Sequence, residues 1–461
     1  MKEAEKICSL LSKQGHETYI VGGFVRDMLL GISGYDVDIA TSAKPSETKK
    51  VLNRRGFKIY DAGEKFGTIG VASSKGNIEI TTFRKEGVYS DSRRPNKVTF
   101  IPSAEEDSKR RDFTINSIYY DPATHEFLDW HGGLKDLKNK EVHFVGSALK
   151  RIKEDPLRML RAVRFASKLG FNINKRDLSV IKKHSKLIHK TSGQRIKEEL
   201  DRIMSDKNFV RGLELLDQTL LLKEIFPAVD NLKGVKQSKN FHAEGNVFKH
   251  TMFCMTFADD FDLTMRYALL FHDIGKVSTG EKKILGGRQH ISFFGHANVG
   301  ALIFESIAKD FPFRKEEKRK IGYLVKHHMD ITRSEQLSFK VLVKWAQNED
   351  FGDLIRLRLV DSKASVRTDE KGRVIKKDFN VYKRMFNKWK KARRAWQQDL
   401  ISGDMIQKIL KIKPGPHVGN VIREIKVKQV QGVLKNKRDA EKYLRKLAIK
   451  SIDKVRKSLD K

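Results

Sequence analysis

Asp36 and Asp38 stand one residue apart in the run V-G-G-F-V-R-D-M-L-L-G-I-S-G-Y-D-V-D-I-A, Val21 to Ala40. On a β-strand their side chains share a face, with Val37 and Ile39 on the other. Two carboxylates this close repel unless a cation lies between them. A hard divalent ion such as Mg²⁺ suits their oxygens. Upstream, Tyr19-Ile20-Val21 reads as a strand, Gly22-Gly23 as a tight turn that bares backbone N–H groups, and Phe24 to Leu30 as a short helix. A helix N-terminus behind two glycines can hold a phosphate. A lone DxD is more often surface charge, and a lone Gly-Gly is usually only a turn. Joined in one strand–turn–helix–loop–strand unit, they point to chemistry on a nucleoside triphosphate.

In Asn77 to Phe83, N-I-E-I-T-T-F, Ile78 and Ile80 share one face and Glu79 takes the other. Glu79 is the candidate third carboxylate, or else a solvated strand residue. Asp155-Pro156 predicts a helix start, with aspartate at the N-cap and proline at the first helical position. Gly170 predicts its stop. Leu157, Leu160, Val163 and Ala166 form an apolar stripe, and Arg158, Arg161 and Arg164 fall on the neighbouring arc. Read from this window alone, Asp155 is a cap and the arginines a solvated face.

A chemical reading stands beside that one. Cytosine and adenine each place an amino donor next to a ring-nitrogen acceptor. A carboxylate can accept from the first and a guanidinium can donate to the second. Guanine and uracil present a carbonyl and a ring N–H, so both contacts fail. Asp155 with Arg158 would thus select C and A by leaving buried polar groups unpaired against G and U.

These residues need elements to hold them. Strands are expected at Thr18–Val21, Asp36–Ala40, Thr68–Ala72, Ile78–Phe83 and Phe113–Asp121, interleaved with helices and turns. From about Leu149 the pattern is helical throughout. The expected fold is an α/β (α+β) head, residues 1–140, then an all-α neck (141–210), body (211–365) and tail (366–461). The chain has 461 residues and a net charge of +35, which favours a polyanionic partner. From Val366 onward, 29 Lys+Arg face 10 Asp+Glu, a local excess of +19. Cys8 and Cys254 lack CxxC spacing, which argues against a disulfide framework and suits a reducing cytoplasm. Neither a signal-peptide core nor a membrane-spanning run is found, so no membrane association is expected.

The motifs together resemble the class II tRNA nucleotidyltransferase and bacterial poly(A) polymerase family, whose head is of the polymerase-beta-like nucleotidyltransferase type. Besides the DxD, R-R-D-F-T-I-N (Arg110 to Asn116) resembles its ribose- and triphosphate-contacting motif. L-D-W-H-G-G-L-K-D-L (Leu128 to Leu137) resembles its hinge, and E-D-P-L-R-M-L-R-A-V-R-F-A (Glu154 to Ala166) its base-selecting helix. The resemblance implies Mg²⁺ on Asp36 and Asp38 and triphosphate contacts from Gly23 and Arg26. Arg26 has the alternative of pairing with Asp27 or Asp38. It also implies triphosphate or ribose contacts from Arg111 and Asn116, and support from Arg161 and Arg164. The Phe83–Pro95 segment resembles the loop that helps turn the base pocket from C to A, with Asp91, Arg93 and Arg94 as its polar contacts. Arg195, in T-S-G-Q-R-I-K-E-E-L, either braces the Asp155 helix or makes a plain salt bridge. The tail motif I-K-P-G-P-H-V-G-N-V-I-R-E and its charge fit a grip on tRNA.

A second resemblance covers the histidines. His250, His272-Asp273, His296, His327-His328 and Asp361 follow the H…HD…H…H…D order of HD-domain metal phosphohydrolases. That likeness implies one divalent metal on His250, His272, Asp273 and Asp361. It implies extension to a second through His296 and either His327 or His328, with Mn²⁺, Ni²⁺, Fe or Mg²⁺ all compatible. The expected activity is template-free addition of CMP and AMP from CTP and ATP to tRNA. The alternatives are a poly(A) polymerase, an A-only or CC-only enzyme, or an HD phosphohydrolase acting on RNA ends or cyclic phosphates. The sequence sets no oligomeric state.

Overall fold

The computed structural model describes residues 1–34, 36–73, 76–86, 98–237, 243, 245–285, 288–331, 339–369 and 373–459. The chain packs as two compact units, Met1–Asn231 with Ile307–Pro312, and Leu232–Ser306 with Phe313–Lys461.

The first unit opens on a mixed sheet. Its strand order is Ile59–Asp61, Thr68–Ser73, Gly76–Thr82, Val37–Thr41, Thr18–Val21, Tyr119–Asp121, Glu126–Leu128. Only Val37–Thr41 and Gly76–Thr82 pair in parallel, and the other neighbours are antiparallel. The β-branched, alternating V-D-I-A-T sequence explains the central strand: Val37 and Ile39 are buried while Asp38 is open. Val21, Ala40, Phe83, Ala104 and Tyr119 form an apolar cluster beneath. Five short strands were expected, and four appear close to their expected limits.

The fifth is corrected. Within Phe113–Asp121, Thr114–Asn116 is a single 3₁₀ turn and only Tyr119–Asp121 joins the sheet. Side chains divert the backbone here: Asp112 Oδ1 accepts the Phe113 N–H at 2.8 Å, and the Thr114 hydroxyl donates to Asp136 at 2.6 Å. Asn116 therefore sits on a turn.

Helices follow from Ala148 onward. The expected start at Asp155 is also corrected. Asp155 ends the helix Ala148–Glu154, and the next helix is Arg158–Leu169, stopped by left-handed Gly170 as expected. Between them the chain turns through i→i+3 bonds, Arg158 N to Asp155 O and Met159 N to Pro156 O. Asp155 still acts as a local cap, since its Oδ1 accepts the Leu157 N–H at 3.1 Å. Leu160, Val163 and Ala166 are fully buried, as the stripe requires.

The second unit is helical apart from the hairpin Glu281–Leu285 with Arg288–Ser292. Its aromatic core includes Tyr267, Phe271, Phe304 and Phe313. Near its C-terminus, Ile406, Ile425, Ala440 and Leu444 anchor a separate small core among basic helices. No helix among the described residues is long and apolar enough to cross a membrane.

Candidate functional site

The strand Thr18–Val21 delivers the chain to Gly22, and the helix Gly23–Leu29 leaves from it. Gly22 has φ +78°, and a Cβ there would lie 3.1 Å from Asp38 Oδ2 and 3.5 Å from Arg111 Nη1. Backbone freedom and close approach thus both demand glycine. Val21 pairs with Asp38, and Asp38 with Glu79, in adjacent strands. Asp36, Asp38 and Glu79 are all open, while Val37, Ile39, Ile78 and Ile80 are buried. Asp36 lies just before the strand begins.

Asp38 is pushed up to about 6 by loss of surrounding water and by the charges of Glu79 and Asp36, with Arg111 opposing. Asp38 lines the cleft with Asp36 and Glu79 near enough to raise its pKa, and carboxylate oxygens so placed fit a hard divalent cation.

The cleft measures about 640 Å³ and is lined by Gly22, Gly23, Arg26, Asp38, Asn116, Asp155, Arg158, Arg161 and Arg164, among others. Arg26 donates to Asp27 and, through Nη1, to Asn116 Oδ1 at 2.7 Å. The alternative pairing with Asp27 is therefore present, and Asp27 rather than Asp38 is the partner. Arg111 donates to Tyr119 Oη at 3.0 Å. Burial would lower the Arg111 pKa, but Tyr119 and Asp107 keep it raised.

Of the two readings of the three arginines of the Asp155 region, the structure overturns the solvated face. Arg158 is buried and donates to Glu154 at 2.6 Å and to the carbonyls of Arg151 and Arg110. Arg161 directs two N–H groups to Asp112 Oδ2, at 2.9 and 2.6 Å. Arg164 pairs with Glu199 at 2.6 Å. The guanidiniums of Arg26, Arg161 and Arg164 stand 5.0, 5.4 and 4.1 Å from the centre of the Phe165 ring, which gathers positive charge on one wall. Asp155 accepts from Arg195 Nη1 at 3.2 Å and Nη2 at 2.8 Å. Arg195 thus meets the carboxylate directly.

Sequence reasoning passed over Asp112, which ties the 3₁₀ turn to the Arg158–Leu169 helix. Its Oδ1 takes the Phe113 N–H and the Asn116 amide while Oδ2 takes Arg161. Burial alone would raise Asp112, yet Arg161 and these hydrogen bonds lower it to about 2. Its place inside R-R-D-F-T-I-N was the available signal. Asp91, Arg93 and Arg94 lie outside the described residues.

The histidines assemble in the second unit. His250, Cys254, His272 and Asp361 form one buried group of donor atoms, and Asp273, His296 and His328 form another. His272, His296 and His328 each place Nδ1 2.7 Å from the carbonyl three residues earlier, Leu269, Phe293 and Val325 respectively. Donation from Nδ1 leaves the Nε2 lone pair available. Nε2 of His296 and His328 lie 3.1 Å apart, and His272 Nε2, fully buried, makes no hydrogen bond among the described residues. A buried imidazole nitrogen that faces a carboxylate at 3.2 Å yet makes no hydrogen bond among the described residues is what a metal ligand looks like before it binds.

Asp273 sits between the groups, 3.2 Å from His272 Nε2 and 3.4 Å from His296 Nε2, with Lys276 Nζ at 2.7 Å. Burial opposes its ionisation, but His272 and Lys276 hold it well below the usual carboxylate range. Asp361, 3.1 Å from His250 Nε2, is likewise held low by Arg358 and His250 against burial. Burial beside His272 pushes His328 down to about 3, so it is neutral. Gly275 permits the packing: a Cβ there would lie 2.0 Å from the His296 carbonyl oxygen.

His328 is the residue brought to the group. His327 lies outside it, half-buried, with Nδ1 2.6 Å from Asp330. One residue along a helix turns a side chain by about a quarter turn, which the HH pair could not resolve. Cys254, four residues after His250, was missed although i, i+4 spacing places it on the same face.

Residues 18–143 match the "Poly A polymerase head domain", 170–233 the "Probable RNA and SrmB- binding site of polymerase A", and 247–357 the "HD domain". A CCA-adding enzyme of Streptococcus pyogenes is 41% identical over 238 residues, 52% of this chain and 56% of that one. One from Ligilactobacillus salivarius is 45% identical over 220 residues, 48% of this chain and 53% of that one. The chain thus spans about half the length of the curated relatives it matches. Across 99% of this chain and 98% of the other, the fold superposes on a Bacillus stearothermophilus CCA-adding enzyme in complex with CTP, with TM-score 0.68 and 24% identity. A Thermotoga maritima CCA-adding enzyme complexed with tRNA gives a TM-score of 0.62 at 17% identity, over 96% of this chain and 94% of that one. These three matches give the chain segments similar to a poly(A) polymerase head domain, to the RNA-binding segment of such a polymerase and to an HD domain, and its fold is that of the CCA-adding enzymes on which it superposes.

Proposed function

We propose that this protein adds CMP and AMP from CTP and ATP to the 3′ end of tRNA, releasing pyrophosphate, without a nucleic-acid template. The single observation that carries this reading is the cleft in which the Asp38 carboxylate, paired in register with Glu79 on the next strand, faces Gly22-Gly23 and an arginine-lined wall containing Asp155 and Arg158. In this reading residues 1–140 are the catalytic head, 141–210 the neck with the base-reading pair, 211–365 the HD body and 366–461 a basic tail that holds tRNA phosphates.

Asp36 and Asp38, with Glu79 as third carboxylate, would hold Mg²⁺. The bound ion neutralises the triphosphate and makes the RNA hydroxyl a better nucleophile. The chain's own groups do the rest. Gly23 opens the helix whose backbone N–H groups receive phosphate, and Arg26 and Arg111 supply fixed positive charge. Asn116, held by Arg26 and Asp112, would contact the ribose. Arg161 and Arg164 keep the Phe165 wall cationic. Asp155 accepts from the amino group of C or A, and Arg158, with three hydrogen bonds made to protein, retains N–H groups for the ring nitrogen. Arg195 orients the Asp155 carboxylate.

The test is extension of tRNAs lacking the last one, two or three nucleotides, with CTP and ATP offered singly and together. Stepwise addition of C, C and A is expected. Incorporation of A alone on every substrate would replace this reading with poly(A) or A-only addition, and a stop after CC with CC-only addition.

His272 Nε2, without a hydrogen bond among the described residues, supports a second activity: the HD centre, with a divalent ion on His250, His272, Asp273 and Asp361 and a second through His296 and His328, hydrolyses phosphoesters at RNA ends or cyclic phosphates. Loss of that hydrolysis in H272A/D273A, with tRNA extension retained, is the check. Buried free Cys8 and Cys254 support a reducing, cytoplasmic setting.

A further inference from the structure

Cys254 lies on the helix Val247–Met255, one turn beyond His250, and is fully buried. Its Sγ is 3.5 Å from His250 Nε2. One donor atom each from His250, Cys254, His272 and Asp361 falls within a mutual span of 4.8 Å. His272, whose Nε2 makes no hydrogen bond among the described residues although Asp273 lies 3.2 Å away, belongs to the same set. A sulfur placed among two imidazoles and a carboxylate has two possible roles. As packing, it is a small apolar group with a weak bond to His250. As a ligand, it decides which metal the centre prefers.

We propose that Cys254 is a thiolate ligand of the HD centre, which therefore takes a thiophilic divalent ion, Zn²⁺ or Fe²⁺, in preference to Mg²⁺. The inference rests on the reading of the HD domain as a metal centre and puts the sulfur in the place given there to Asp273, which groups with His296 and His328. Two nitrogens, one sulfur and one carboxylate oxygen make a four-donor set of the kind zinc accepts. Mg²⁺ asks for oxygen donors in a near-octahedral shell and gains nothing from sulfur. On binding, the S–H bond breaks, its proton passes to solvent, and the freed sulfur lone pair forms the metal–sulfur bond. No oxidant or reductant takes part. The head offers carboxylate oxygens to its ion, so one chain would hold two centres with opposite preferences.

The full-length protein is stripped of metal by chelation and titrated with Co²⁺ alone, as wild type, C254S, C8S and H272A. A sulfur-to-cobalt charge-transfer band in the near ultraviolet is expected in wild type and in C8S. C254S should lose that band and keep the visible cobalt bands, which also shows that the variant folds and still binds metal. The head carboxylates bring no sulfur, so their occupancy adds no such band. In competition between Zn²⁺ and Mg²⁺, C254S should weaken Zn²⁺ by about tenfold or more with Mg²⁺ unchanged. Visible cobalt bands that H272A removes, with no charge-transfer band in wild type, would overturn the sulfur ligand and leave the metal centre standing. Cobalt spectra identical in wild type and H272A would overturn both.

Discussion

In the head cleft, Asp38 stands beside Glu79, and its pKa rises to about 6 chiefly through loss of surrounding water, with Arg111 opposing and the charges of Glu79 and Asp36 adding to the rise. In the HD domain, Asp273 and Asp361 are almost wholly inaccessible, yet both are held ionised by histidine, lysine or arginine at contact distance. The two regions gather carboxylates for different purposes. The head leaves a carboxylate with a raised pKa at an open cleft, where the proposed ion and triphosphate would enter from solvent. Its arginines across the cleft already have partners in Asp112, Glu154 and Glu199, which holds them in place. The HD centre balances its charge internally and leaves its incompleteness on nitrogen, at His272 Nε2. An open site therefore advertises itself by a raised carboxylate pKa, and a closed one by an unmade bond.

The largest test of this contrast is D36A/D38A. Nucleotide incorporation should fall by at least about a thousandfold, while metal binding by the HD centre is unchanged. Persistent extension would end the assignment of the cleft. Next comes D155A, expected to erode the preference for C and A over G and U by about a hundredfold or more in kcat/KM, mostly by loss of the correct nucleotides. Uniform loss for all four nucleotides would make Asp155 purely structural.

R195A should be milder, about tenfold in discrimination, because Arg195 acts through Asp155. R195K restores one of its two hydrogen bonds and should recover part of the effect, read as KM against kcat for CTP and ATP. The smallest effect is on stability. Asp112 has a folded pKa of about 2 against an ordinary 3.8. Its contribution, about 2 kcal/mol, is complete above about pH 4 and is lost as pH falls toward 2. D112N should flatten that part of the acid-unfolding curve, and an unaltered curve would show that Arg161 does not depend on it.

Much of this arrangement was legible along the chain. Alternation around Asp38 and Glu79 gave the facing of the acids correctly, because a strand's period of two depends only on local geometry. Gly22-Gly23 and Gly170 marked turns for the same reason. Errors fell where side chains compete with backbone hydrogen bonding. Asp112 and Thr114 turned an expected strand into a 3₁₀ turn, and Pro156 moved a helix start from Asp155 to Arg158. Arg161 and Arg164 looked solvated because their acidic partners Asp112 and Glu199 lie far off in sequence, whereas Glu154, the partner of Arg158, stands one helical turn away within the same window.

The amino-acid order alone determined which chemical groups were available and, through strand and helix periods, which of them shared a face. Tertiary structure decided the pairings: Arg195 with Asp155, Asp112 with Arg161, His328 and Cys254 rather than His327 among the buried histidines. Periodicity is a property of neighbouring residues. A salt bridge or a metal pocket depends on which distant segments pack together, and packing is settled only when the whole core has formed.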